Sequence, residues 1–166
     1  MIFNTYGQEQ KKENSKIQEF ASKKGTIIKF ENYKLDNIRL TYGMAESEIR
    51  KIIVGDEAQY FLQISKKGKY DTKTASIAYE DIIEIQKALK NLSQQSEIDI
   101  NTISDYLENK FVTEDGFQIG YYINKGKIRW YASLEKYGSD NTIFFKDFET
   151  VEIAFHLGKT KIEELK

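Results

Sequence analysis

Two alternating stretches carry side chains that could hold a ligand. In AQYFLQISKKGK (58–69), Phe61, Gln63, Ser65 and Lys67 share one side of a predicted strand, and Lys69 follows in the next loop. In FQIGYYINKGK and KIRWYASLEKYG (117–138), Tyr122, Arg129, Tyr131 and Ser133 make a second such set, with Lys127 at the turn. Arg39 and Lys51 add cations on other predicted strands. Cations interleaved with exposed aromatics suit a single-stranded nucleic acid: bases stack on rings at roughly 1–3 kcal/mol each while Lys and Arg follow the phosphates. The candidate contact set is therefore Arg39, Lys51, Phe61, Gln63, Lys67, Lys69, Tyr122, Lys127, Arg129 and Tyr131. The same aromatics also fit a core or a protein–protein contact, because strands favour large rings for packing alone.

Catalytic chemistry has little to stand on. The only histidine, His156, falls inside a predicted helix with no Cys or paired carboxylates at ligand spacing. The acidic pairs Asp56-Glu57, Glu80-Asp81 and Glu114-Asp115 lie at turns and helix starts, where turn formation and capping account for them. No phosphate-binding glycine loop, nucleophile elbow or His-Glu-x-x-His helix occurs. The expectation is a non-catalytic protein with neither metal nor cofactor.

Composition narrows the class further. With no cysteine among 166 residues, disulfide frameworks, zinc fingers and thiol catalysis drop out, and a cytoplasmic protein is expected (the host cytoplasm if phage-encoded). No apolar run reaches membrane-spanning length, and no signal-peptide apolar region stands at the N-terminus. Lys and Arg number 25 against 26 Asp and Glu, so any anionic partner must be met by a local patch.

The elements that must position these residues show a repeat. TASIAYEDIIEIQKALKNL (Thr74–Leu92) is echoed by NTIFFKDFETVEIAFHLGK (Asn141–Lys159) at a fixed offset, Ile143 − Ile77 = 66. The same offset pairs Asp81 with Asp147, Ile85 with Val151, and Leu89 with Phe155. Each copy reads as a strand, an Asp capping a helix, and an amphipathic helix; the first should bury Ile82, Ile85, Ala88, Leu89 and Leu92. Upstream of each lie strand-like stretches separated by turns such as Gly55-Asp56 and Asn124-Lys125-Gly126. The predicted fold is α+β: a tandem duplication of a four-stranded antiparallel sheet followed by a helix. Residues 26–166 form one domain of two halves, 26–97 and 98–166. Residues 1–25 read equally as a polar tail or as a helix with Ile17, Phe20 and Ala21 on one stripe and Gly25 as its stop.

That order of four strands and a capped helix resembles the fold of the transcriptional coactivator positive cofactor four, and two such units in one chain resemble the Whirly proteins. KTASIAYEDIIEIQKALKNL (Lys73–Leu92) and NTIFFKDFETVEIAFHLG (Asn141–Gly158) carry the resemblance, over roughly residues 35–160. It implies a phage or bacterial relative that binds single-stranded DNA on its sheets with little sequence preference, in replication, recombination or repair. It also implies a homo-oligomer, dimer or tetramer, built through the helices. An RNA-binding variant of the same fold is not separable from sequence, because stacking and phosphate contacts do not read the 2′-OH. The alternative is a protein–protein adaptor or inhibitor using the same sheet surface.

Overall fold

The computed structural model describes residues 14–166. Their order is α1 (Lys16–Ala21), β1 (Ile28–Lys34), β2 (Ile38–Arg39), β3 (Met44–Val54), β4 (Glu57–Lys67), β5 (Thr72–Ala78), α2 (Tyr79–Asp99), β6 (Leu107–Val112), β7 (Gln118–Asn124), β8 (Lys127–Ser133), β9 (Thr142–Phe144) and α3 (Phe148–Leu165). The class is α+β, with two antiparallel sheets and three helices among the described residues. One sheet runs β1-β3-β4-β5 with β2 also paired to β3, and the other runs β6-β7-β8-β9. The first thus has five strands where four were expected. Its extra member is the two-residue β2, which shares one edge of the long β3 with β1.

The apolar stripes of both long helices close one core with both sheets. Ile82, Ile85, Leu89 and Leu92 of α2 are buried against it, while Ala88 is half-buried. Val151, Ala154, Phe155 and Ile162 of α3 join them, as do Leu62, Ile64 and Ile77 of the first sheet and Ile119, Tyr121 and Trp130 of the second. One cluster fed by every layer makes the two halves a single packing unit. The ends of the helices are fixed by polar contacts. Tyr60 donates to the Leu165 carbonyl at 3.0 Å, and Tyr121, fully buried, donates to Asp99 at 2.6 Å. Burial, then that bond, raises the Tyr121 pKa to about 12.

The two entrance aspartates differ. Asp147 is the N-cap of α3 and accepts from the Thr150 amide at 2.9 Å. Asp81 is not a cap: the N-cap of α2 is Ala78, which offers no side-chain bond. Asp81 instead pairs with Lys16 of α1 at 2.8 Å.

α1 is the element that most alters the expected faces. Ser15 caps it and Gln18 returns the bond, a reciprocal pair that starts even a short helix. Lys16 also presents its backbone amide to Asp115 at 3.1 Å. So anchored, α1 lays Phe20 on the outer side of the first sheet, in a second cluster with Ile52, Val54, Phe61 and Ala78. Of the stripe read from sequence, Phe20 is buried and Ile17 and Ala21 are half-buried. Residues 1–13, which the tail-or-helix reading also covered, lie outside the described residues.

Candidate nucleic-acid interface

The outer side of the second sheet follows from its register. Ile119, Tyr121, Trp130, Ala132 and Ile143 point into the core, so their neighbours point away. Glu108 is opposite Tyr122, and Tyr122 opposite Arg129; in the next row Lys110, Gly120, Tyr131 and Phe144 are successive partners. Tyr122 stands 6.2 Å from Phe144 and 6.3 Å from Tyr131, ring centre to ring centre. Phe144 is 42 % exposed and Tyr122 half-buried, so both present ring surface.

Tyr131 is different, being only 7 % exposed. Its hydroxyl donates to Glu108, which also accepts from Tyr106 at 2.7 Å. These bonds hold the Glu108 carboxyl below its ordinary value, the Tyr131 bond first. Burial, then the bond to Glu108, pushes the Tyr131 hydroxyl up. The expectation of Tyr131 as a stacking surface is therefore corrected: it is the support under Tyr122 and Phe144. Gly120, its cross-strand partner, is a point of close approach. A Cβ there would sit 2.2 Å from the Asn109 carbonyl oxygen and 2.7 Å from Lys110 Cα.

The cations gather at one end of this face. Arg129 and Lys127 lie on β8, on the same side as Tyr131 and both exposed. Arg39 reaches the same end from the other half of the chain. Leu40 bridges to Phe145, the Thr41 amide donates to the Phe144 carbonyl at 2.8 Å, and the Lys146 amide donates to the Arg39 carbonyl at 3.3 Å. Leu40 and Phe145 are buried, so Arg39, Thr41, Phe144 and Lys146 flank them on the outside. Among the described residues, none of Arg39, Lys127, Arg129 and Lys146 is ion-paired. Unpaired cations keep their full charge available to a phosphate.

The remaining expected contacts are elsewhere. Phe61 is fully buried beneath α1 and Gln63 is 7 % exposed, donating to Ser76 at 2.9 Å. Both are corrected from free-face to covered positions, because α1 occupies the face they share. Lys51 lies opposite Tyr60 on the helix side of the first sheet, its ammonium 5.6 Å from that ring. Lys67 pairs with Glu46 at 3.0 Å, and Lys69 sits in the β4–β5 loop over the Tyr70 ring at 5.1 Å. The structure thus brings together Arg39, Tyr122, Lys127, Arg129 and Tyr131, and separates Lys51, Phe61, Gln63, Lys67 and Lys69 from them. Sequence reading missed Phe144 and Lys146. Parity could have found Phe144, since its neighbour Ile143 matches the core residue Ile77 at the repeat offset.

Against known proteins the chain returns no match, whether to family models, to curated sequences or to solved structures.

Proposed function

We propose that this protein binds single-stranded DNA, without catalysis and with little sequence preference, on the outer face of its second sheet. One observation carries the reading: exposed ring surface on Phe144 and Tyr122 lies beside four cations from three separate strand ends, none of them neutralised by a carboxylate among the described residues. A base needs a ring to stack on and a phosphate needs a nearby cation, and this face supplies both within a few strand spacings. Paired bases in a duplex are already stacked, so the rings favour unpaired strands. The resemblance to the tandem Whirly arrangement supports the reading, since a run of strands precedes a long helix in each half. Roles in replication, recombination or repair, and a homo-oligomer using apolar helix positions such as Ile153, which is 49 % exposed, belong to the same proposal. No helix of the described residues is long and apolar enough to cross a membrane.

A protein adaptor on the same face is the second reading. It is favoured by Val112, 48 % exposed, and by Glu108, which places an anion beside Tyr122.

The test is binding of labelled oligo-dT and of duplex of equal length at two salt concentrations. Expected are preference for the single strand and weakening with salt as counterions are recaptured. Arg129→Ala should reduce the salt slope by about 1. Tyr122→Ala should cost about 1–3 kcal/mol of affinity. Equal affinity for duplex, or no binding at low salt, overturns the proposal in favour of the adaptor.

A further inference from the structure

We infer that the bound strand does not stay on the second sheet but crosses the seam between β9 and β2 onto the first half of the chain, where Tyr42 provides a further stacking surface. This rests on the proposed reading and assigns the path that reading leaves open. β2 has two neighbours: Arg39 is the partner of Met44 in β3, while Leu40 on the other edge bridges to Phe145. The outer faces of both sheets therefore become one surface at β2. Extending the Tyr131↔Phe144 register by two residues sets Lys146 opposite Arg129, and the Phe145 amide does donate to the Trp130 carbonyl at 3.0 Å in that register.

Arg129, Lys146 and Arg39 thus form one line, each a strand apart. At about 4.8 Å per strand they span roughly 10 Å, perpendicular to the strands. Tyr122 begins the line on β7, and Met44, 58 % exposed, continues it on β3. Beyond Met44 the cationic track ends, because Lys67 is neutralised by Glu46. Three phosphate partners in a line suit an extended backbone better than a mononucleotide.

Tyr42 stands just past the Arg39–Met44 pair, 89 % exposed on the turn between β2 and β3. The turn is fixed. The Leu40 amide donates to the Gly43 carbonyl at 3.1 Å, Gly43 takes the positive φ of 80° that the reversal needs, and Thr41 holds β9 through its amide and through its hydroxyl, 3.2 Å from the Phe145 carbonyl. An exposed ring on a pinned turn loses less freedom on binding than one on a loose loop.

The experiment compares Tyr42→Ala and Lys146→Ala with Arg129→Ala, Tyr122→Ala and a control on the exposed side of α2, Lys90→Ala, for binding oligo-dT of about 20 nucleotides, long enough for common site sizes. Tyr42→Ala should weaken binding about fivefold or more with the salt slope unchanged, and Lys146→Ala should lower the slope by about 1. If either behaves like Lys90→Ala while Arg129→Ala and Tyr122→Ala weaken binding, the strand does not cross the seam and the inference fails, although the proposed function stands. If the unmodified protein fails to bind oligo-dT at low salt, the proposed function falls and takes this inference with it. Thermal unfolding separates these outcomes from damage to the fold, since Tyr42 contributes almost nothing to the core.

Discussion

Tyr131→Phe separates a supporting residue from a contacting one. The ring is 7 % exposed and stays in place, so the change removes one hydroxyl and its bond to Glu108. A hydrogen bond to a charged group is worth about 1.5–3 kcal/mol net. Glu108 keeps Tyr106 at 2.7 Å and Lys110 at 3.6 Å, and its side chain is 27 % exposed, so water can replace part of what is lost. The lower figure, about 1.5 kcal/mol, is expected, or a fall in Tm of about 3–6 °C for a chain of this size. Tyr131→Ala removes the ring as well and should cost about 3 kcal/mol or more.

The pH dependence has a defined sign. Glu108 has a folded pKa below its unfolded one, so its contribution is fully present above the ordinary carboxylate value and is lost as pH falls through the folded value. Tyr131 has a raised folded pKa, so its own contribution is present below the ordinary tyrosine value and lost as pH rises through the folded one. The gap between parent and Tyr131→Phe should therefore be widest between about pH 5 and 9 and narrow on both sides. Urea unfolding followed by the fluorescence of Trp130, at pH 7 and at about pH 3.5, measures it, with oligo-dT affinity taken in parallel at pH 7. If Tyr131→Phe left stability at pH 7 untouched but weakened oligo-dT binding as much as Tyr122→Ala, Tyr131 would be a ligand contact and its assignment as a support would be wrong.

Gly120→Ala should be among the most damaging single changes, since the new methyl meets backbone of β6 at 2.2 Å; by urea unfolding we expect a loss of about 3 kcal/mol or more. Gly158→Ala should cost about 1–2 kcal/mol, because the new methyl meets both methyls of the buried Leu62, at 2.9 and 3.1 Å, and no backbone. Asp147→Ala should lower stability by about 1 kcal/mol at pH 7, with the deficit shrinking in acid, because bonds from Thr150 hold that carboxyl below its ordinary value; a deficit that grew as pH fell would refute the capping assignment.

What the sequence disclosed was what depends on neighbours along the chain. The stripes Ile82, Ile85, Leu89, Leu92 and Val151, Phe155 are periodic and apolar, and they pack as their period demands. Asp81 and Asp147 look alike locally, yet only Asp147 caps, because Lys16 arrives from 65 residues upstream to claim Asp81. Alternation gave the two sides of β4 correctly but could not say that the second side was covered. The warning was in the composition of that side: Ile52, Val54, Phe61 and Ala78 are apolar together, more than a solvated face would carry. Tyr131 misled for a related reason. Alternation puts it on the outer side, as observed, but its burial comes from Tyr122 packed beside it and from the bond to Glu108 on another strand.

The repeat bears on why α1 covers the outer face of the first sheet around Phe61 while the matching place on the second sheet stays open. Phe61 is the strand partner of Ala78, and Tyr131 is the strand partner of Phe144. Ala78 and Phe144 are separated by the same 66 positions (144 − 78) that relate the two halves, so Phe61–Ala78 and Tyr131–Phe144 are the same place in the two copies. In the first copy the small Ala78 leaves a socket beside Phe61, which Phe20 fills from α1, anchored through Lys16 to Asp81 and Asp115. In the second copy Phe144 already occupies that space, and its own ring becomes the exposed surface. Alanine at this repeated position thus goes with a face covered by a helix of the same chain, and phenylalanine with a face left open.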